Sequence, residues 1–178
     1  MNVLVLYAHP SADSFVGRLR DTAVTSLSQA GHVVNLLDLW AEGFDPLPKP
    51  GSNVDAILAR HAALLNDAHG LLFVYPTWWG GQPAILKGWL ELVLPEAGRR
   101  LRRIRRVAVV TTHGSPRWVN ILQGEPGRLV TMRGVAARVH PFARRRWIAL
   151  YGLDQDNAAV RERFAAHVAA RMSRFSAP

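Results

Sequence analysis

The chain has 178 residues, 49% of them hydrophobic, and no cysteine, which suits one domain with its own buried core and excludes disulfides, thiolate catalysis and cysteine-ligated metals. Its formal net charge of +9 is uneven: residues 1–98 hold five Lys/Arg against nine Asp/Glu, about −4, and residues 99–178 hold seventeen against four, about +13. No run of ~18 uncharged apolar residues is present, so no integral membrane segment is expected, and the start MNVLVLYAHP, with no basic region ahead of its apolar run, argues against a secretory signal and makes the cytoplasm the expected location.

Residues 3–7 (VLVLY) read as a buried strand. Phe15, Leu19, Ala23 and Leu27 then recur every four residues until Gly31, the spacing of one helix face. Residues 32–37 (HVVNLL) make a second strand ending at Asp38, and residues 39–50, with three prolines, a long irregular connection. Asn53 is the expected N-cap of a helix whose Val54, Ile57, Leu58, His61, Leu64, Leu65 and Ala68 mark one face and which Gly70 closes. Residues 71–75 (LLFVY) form a third, wholly apolar strand, of the kind buried on both faces of a parallel sheet. Pro83 suits the first turn of a helix over residues 84–94 that Pro95 ends. Residues 107–112 and 147–151 complete five strands. Between them residues 126–139 read as helix, weakened by Gly134, and residues 157–175 form a last helix with Val160, Phe164, Val168 and Met172 in register.

Strand and helix alternate throughout, so the expected fold class is α/β: a three-layer, doubly wound, five-stranded parallel sheet in a single domain over residues 1–178. Ligands of such sheets bind outside the carboxyl ends of the strands, which directs attention to the loops after Tyr7, Tyr75 and Thr112. The first, AHPSADSF at residues 8–15, leads into a helix whose free amides make an anion site, and Ser14 with the Phe15 amide can hold a phosphate there. Simple helix capping by Asp13 and Ser14 is the alternative. The glycines of a dinucleotide fingerprint are missing from this loop, and His9 and Pro76 stand where a receiver domain would carry its acids. The second loop, PTWWGGQPAILKGW at residues 76–89, sets two adjacent indoles and two glycines directly after a buried strand. Glycine lets the backbone approach a flat ring closely, while packing of Trp78 or Trp79 between helices or in a dimer interface is the alternative.

Taken as a pair, HP…SF after the first strand and PAILKGW after the Trp-rich loop resemble the NAD(P)H:quinone oxidoreductases of the flavodoxin-like superfamily, and the length is similar to that of its short bacterial branch. The likeness in element order covers nearly the whole chain, and TTHG at residues 111–114 is similar to the family's Thr-Thr-x-Gly segment. The resemblance implies His9, Ser14 and Phe15 on the phosphate and ribityl side of a flavin, Pro76, Thr77, Trp78, Trp79 and Gly80 along its ring, and Thr111, Thr112, His113 and Gly114 closing the other edge. It implies FMN, with FAD as the alternative, NAD(P)H as electron donor, and two-electron reduction of a quinone-like small molecule by ping-pong hydride transfer through the flavin. It also implies a homodimer whose partner chain walls the pocket.

Two departures qualify this resemblance. Eukaryotic members place a tyrosine and a histidine beyond the Thr-Thr segment, where this chain has Trp118, Val119 and Gln123. That leaves His113, with a reference pKa near ~6.5, as the candidate catalytic group. The loop that covers the ring in relatives is cut short to residues 95–98. An ancillary or regulatory subunit of the same fold, binding a nucleotide and a partner protein with little catalysis, is the alternative these departures leave open.

RRLRRIRR at residues 99–106 holds six arginines in eight positions. Leu101 and Ile104, three apart, turn one side inward, and the rest reads as a solvated strand entrance or a field that attracts anionic cofactors, with Arg144, Arg145 and Arg146 joining it. No nucleic-acid-reading motif or interleaved aromatics accompany the run, so nucleic acid is not an expected partner.

Overall fold

The computed structural model describes residues 1–47, 54–155 and 157–176. Five strands, β1 (Asn2–Tyr7), β2 (Val33–Asp38), β3 (Gly70–Thr77), β4 (Arg106–His113) and β5 (Arg144–Tyr151), form one sheet in the order β2-β1-β3-β4-β5. Every neighbouring pair is parallel. Although the inner strands β1 and β3 are almost wholly apolar, their side chains still alternate between faces. Val3, Val5, Tyr7, Leu72, Val74, Ala108 and Val110 pack with α1 (Phe15–Gln29) and α7 (Ala158–Met172) on one side. Leu4, Leu6, Leu71, Phe73, Tyr75, Val107 and Val109 pack with α2 (Val54–Asp67) and α3 (Ala84–Leu92) on the other. Each valine, leucine or phenylalanine side chain so removed from water contributes about 1.5–3 kcal/mol, and two covered faces explain why β1 and β3 show no polar stripe while the edge strands β2 and β5 carry polar residues.

Several boundaries depart from the sequence reading. Gly70 does not close α2; it opens β3, where a Cβ would lie 2.6 Å from the Phe175 ring. It is a packing glycine. The Asn53 cap lies outside the described residues. α3 stops at Leu92, and Pro95–Arg103 follows as a 3₁₀ stretch broken at Gly98, whose φ is 50°. The arginine run is therefore mostly helical, with Leu101 and Ile104 buried as expected and Arg99, Arg100, Arg102 and Arg103 exposed. β5 starts at Arg144, three residues early, because the exposed end of an edge strand tolerates arginines.

Residues 126–139 are not one α-helix. α5 (Pro126–Leu129) passes into a π turn (Val130–Val135) and then α6 (Ala136–Arg138). Ahead of them lies α4 (Arg117–Leu122), absent from the sequence reading.

The PAILKGW segment works chiefly in packing. Trp89 is fully buried and its Nε1–H donates to Nδ1 of the buried His61 at 3.3 Å. That leaves the proton of His61 on Nε2, 2.7 Å from Glu42 Oε2. A Cβ on Gly88 would fall 2.4 Å from Pro46. Helices α2 and α3 thereby clamp the connection after β2.

Candidate functional site

Because the sheet is parallel, the carboxyl ends of β3, β4 and β5 finish side by side, with Thr77 in register with His113 and His113 with Tyr151. A cleft of about 630 Å³ opens there, within the size range of cofactor sites. Pro76, Thr77, Trp78, Trp79 and Gly80 form one wall, and Thr112, His113 and Gly114 the other. Ser115, Asn120, Gln123, Leu153 and Asp154 complete it.

The Trp79 wall is strained and rigid. Trp78 and Gly81 exchange backbone hydrogen bonds of 3.1 and 3.0 Å, and the two residues between them, Trp79 and Gly80, have φ of 50° and 74°. That is a tight two-residue turn of the kind that takes Asn-Gly. A tryptophan at its first position costs about 1–2 kcal/mol, yet the residue is fully exposed. The turn is held from behind: Gly127 N donates to Gly80 O at 3.0 Å, and Gln82 Nε2 to Gly127 O at 2.8 Å.

The loop after β1 is equally ordered. Tyr7 Oη donates to Ser11 O at 2.8 Å, and Ser14 Oγ donates to the same carbonyl at 2.9 Å while accepting from Gly17 N at 3.0 Å. A Cβ on Gly17 would meet Ala12 O at 1.9 Å, so only glycine lets the loop fold back this closely. Ser14 thus caps α1 and occupies the Gly17 amide, but no acidic residue stands in the first turn to compete for an anion at the Phe15 and Val16 amides.

His113 ends β4 and is 3% exposed, rather than lying within the loop. The Asn120 amide nitrogen faces three oxygens, Ser115 O, Ser115 Oγ and Pro116 O. Its Oδ1 therefore faces His113 Nδ1, at 2.7 Å, and Nδ1 carries the proton. Nε2 is left as the acceptor, 3.4 Å from Thr77 Oγ1, which in turn lies 2.9 Å from Thr111 Oγ1. Burial pushes the imidazole below the ordinary histidine range, against the opposing pull of Asn120 and Glu125.

The cleft thus gathers eight of the twelve residues singled out from the sequence. Ser14 and Phe15 lie outside its lining, and His9 approaches it through Trp78, 6.0 Å away between ring centroids. Thr111 is fully buried behind Thr77. Asn120 and Asp154 were missed. The loop after the fifth strand was the available signal for Asp154, which packs so close to Gly114 that a Cβ there would lie 2.4 Å from its carboxylate.

The model of the family described as flavodoxin-like fold matches residues 1–173. The ribosyldihydronicotinamide dehydrogenase [quinone] of Mus musculus is 32% identical over 116 residues, 52% of this chain and 50% of the relative. The chain spans about half the length of the curated relatives it matches. Among solved structures, Smu.1420 from Streptococcus mutans superposes with a TM-score of 0.81 at 26% identity, covering 97% of this chain and 99% of that one. An FMN-dependent NADH-azoreductase from Bacillus anthracis, in complex with FMN, has a TM-score of 0.74 at 14% identity over 98% of this chain and 99% of its own, a likeness of fold alone.

Proposed function

The chain belongs to the flavodoxin-like fold family, and on that premise we propose that it is a flavin-dependent NAD(P)H oxidoreductase of the quinone-reductase type, holding FMN at the strand ends and reducing a quinone-like acceptor. The observation that carries this reading is Trp79, strained and fully exposed at the lip of a cofactor-sized cleft. An indole held there at a conformational cost is explained by a flat ring that covers it.

The residues present fit such a group. The free amides at the start of α1, with Ser14 and Phe15, suit its phosphate. Pro76 to Gly80 suit one edge of the ring, and Thr112, His113 and Gly114 the other. FMN is favoured over FAD by the FMN-bound neighbour of like fold. When bound, a flavin supplies the centre that accepts a hydride from NAD(P)H and returns it to the acceptor in ping-pong order. The chain's own part is to position the ring and limit water, while neutral His113 presents Nε2 as a proton acceptor through Thr77.

A homodimer belongs to the same reading, since Trp118, Ile121 and Leu122 of α4 stand exposed beside the cleft, where a second copy would cover them. So does a cytoplasmic setting; no helix among the described residues is long and apolar enough to cross a membrane. The test is a visible spectrum after reconstitution with FMN or FAD, followed by anaerobic NADPH. Flavin bands that NADPH bleaches are expected. Absent bands overturn the proposal, and bound flavin that resists bleaching points to an ancillary subunit instead.

A further inference from the structure

A second groove of about 540 Å³ lies beside the cleft. Arg145 and Trp147 of β5 wall one side, and Arg128, Met132 and Arg133 the other, with Glu125 at its end. The two cavities adjoin, because Gln123 lines the first and Gly124 the second. Tyr151 joins them: its ring stacks on His113, and its hydroxyl donates to Glu125 Oε1 at 2.7 Å.

Three guanidiniums face one carboxylate in this groove. Burial opposes charge on Glu125, but bonds from Tyr151 and Arg128 prevail and hold its carboxyl below the usual range. Arg128 is engaged in that pair at 2.8 Å. Arg145 donates one N–H to Met132 O at 3.1 Å. Among the described residues, neither Arg133 nor Arg145 has a carboxylate partner. The backbone is adapted to this arrangement. In an α-helix, Arg128 and Arg133, five apart, would point about 140° away from each other. The wider π turn over Val130–Val135 lets both reach one groove, and such turns recur at functional sites.

We propose that this groove binds a phosphorylated nucleoside, with Arg133 and Arg145 on the phosphate and the Trp147 indole, flanked by Met132, against the base. Two sources share that chemistry: the 2′-phosphorylated adenosine end of a dinucleotide donor working in the adjoining cleft, and a free mononucleotide. The first source rests on the oxidoreductase reading above; the groove itself does not.

The test uses adenosine 2′,5′-bisphosphate and 5′-AMP, titrated calorimetrically into wild-type protein and the Arg133→Gln, Arg145→Gln double variant, with the NADPH-to-NADH ratio of kcat/KM measured in parallel. Saturable binding of the bisphosphate that weakens about tenfold or more in the variant, with a matching fall in that ratio, establishes the groove as the donor's adenosine site. Equal binding of both probes that the variant weakens, with an unmoved ratio, establishes a free-mononucleotide site. Absence of binding to wild type, or binding that the variant leaves intact, overturns the proposal. Should the double variant lose its circular dichroism signal, Arg133→Gln alone replaces it, since Arg133 is exposed. Failure of flavin reconstitution would sink the oxidoreductase reading and leave the bisphosphate titration fully readable.

Discussion

The His113 imidazole lies flat on the ring of Tyr151, centroids 4.3 Å apart and planes 20° from parallel. Stacking sets the plane of the imidazole, and Asn120 sets its tautomer. Only Nε2 remains to serve the cleft.

Replacing Asn120 with Ala leaves a buried Nδ1–H without an acceptor, and denaturant unfolding is expected to register a loss of about 1–3 kcal/mol. His113→Phe is expected to slow flavin reduction by NADPH on the order of tenfold, less than the roughly 10²–10⁴-fold of a dedicated general acid or base, because the Thr77 hydroxyl remains. Rates equal to wild type across about pH 5–8 would remove His113 from the reaction.

Acid should weaken the fold through imidazoles held below their ordinary range, foremost the buried His61 and His113, with the less buried His32 acting in the same direction. Burial is the chief cause that pushes His61 and His113 below the ordinary histidine range. As pH falls, the unfolded chain takes up these protons first. Stability is therefore undiminished above about pH 6.5, is lost as pH drops through that value, and levels off below the folded-state pKa values. Thermal unfolding from pH 7 to 5 is expected to show a falling midpoint, with a shallower fall in the His61→Asn, His113→Asn double variant. An identical slope in both proteins would show that other groups carry the effect.

Trp79 sets stability against ligand retention. Trp79→Asn suits the left-handed backbone and is expected to raise stability by up to about 1 kcal/mol while FMN retention falls. Gly80→Val, at a φ of 74°, should cost about 1–2 kcal/mol and weaken retention without unfolding the chain. Equilibrium dialysis beside circular dichroism separates the effects; unchanged retention in both variants would take this turn out of the site.

The loop after β1 is testable with a flavin that lacks the phosphate. Ser14→Ala, at a cap worth about 1 kcal/mol, and Gly17→Ala, which drives a Cβ into Ala12 O, should weaken FMN binding and spare riboflavin. Equal losses for both flavins would place the phosphate elsewhere.

Trp89→Phe removes the donor to His61 and should cost about 1–3 kcal/mol with FMN affinity unchanged. A selective loss of FMN would mean that PAILKGW acts in binding and not, as its contacts indicate, in clamping the Glu42 to Pro46 connection.

The sequence by itself determined the architecture and two of the strand-end walls. Apolar runs such as VLVLY and LLFVY mark strands covered on both faces, and the four-residue recurrence through Phe15, Leu19, Ala23 and Leu27 marks a helix face, because both signals are local and repeat within one element. Trp78, Trp79 and Gly80 could be named from their position immediately after a strand. Tertiary structure alone decided what stands beside His113, since parallel strands ending together bring Thr77, His113 and Tyr151 into register across long separations that no periodicity encodes. It also decided the six-residue α4 that carries Asn120, too short for a pattern to emerge, and the π turn that sets Arg128 and Arg133 on one groove. Gly70 makes the same point. Its lack of a side chain answers to Phe175 at the other end of the chain, so the reason for it lies in packing and cannot be found in its neighbours in sequence.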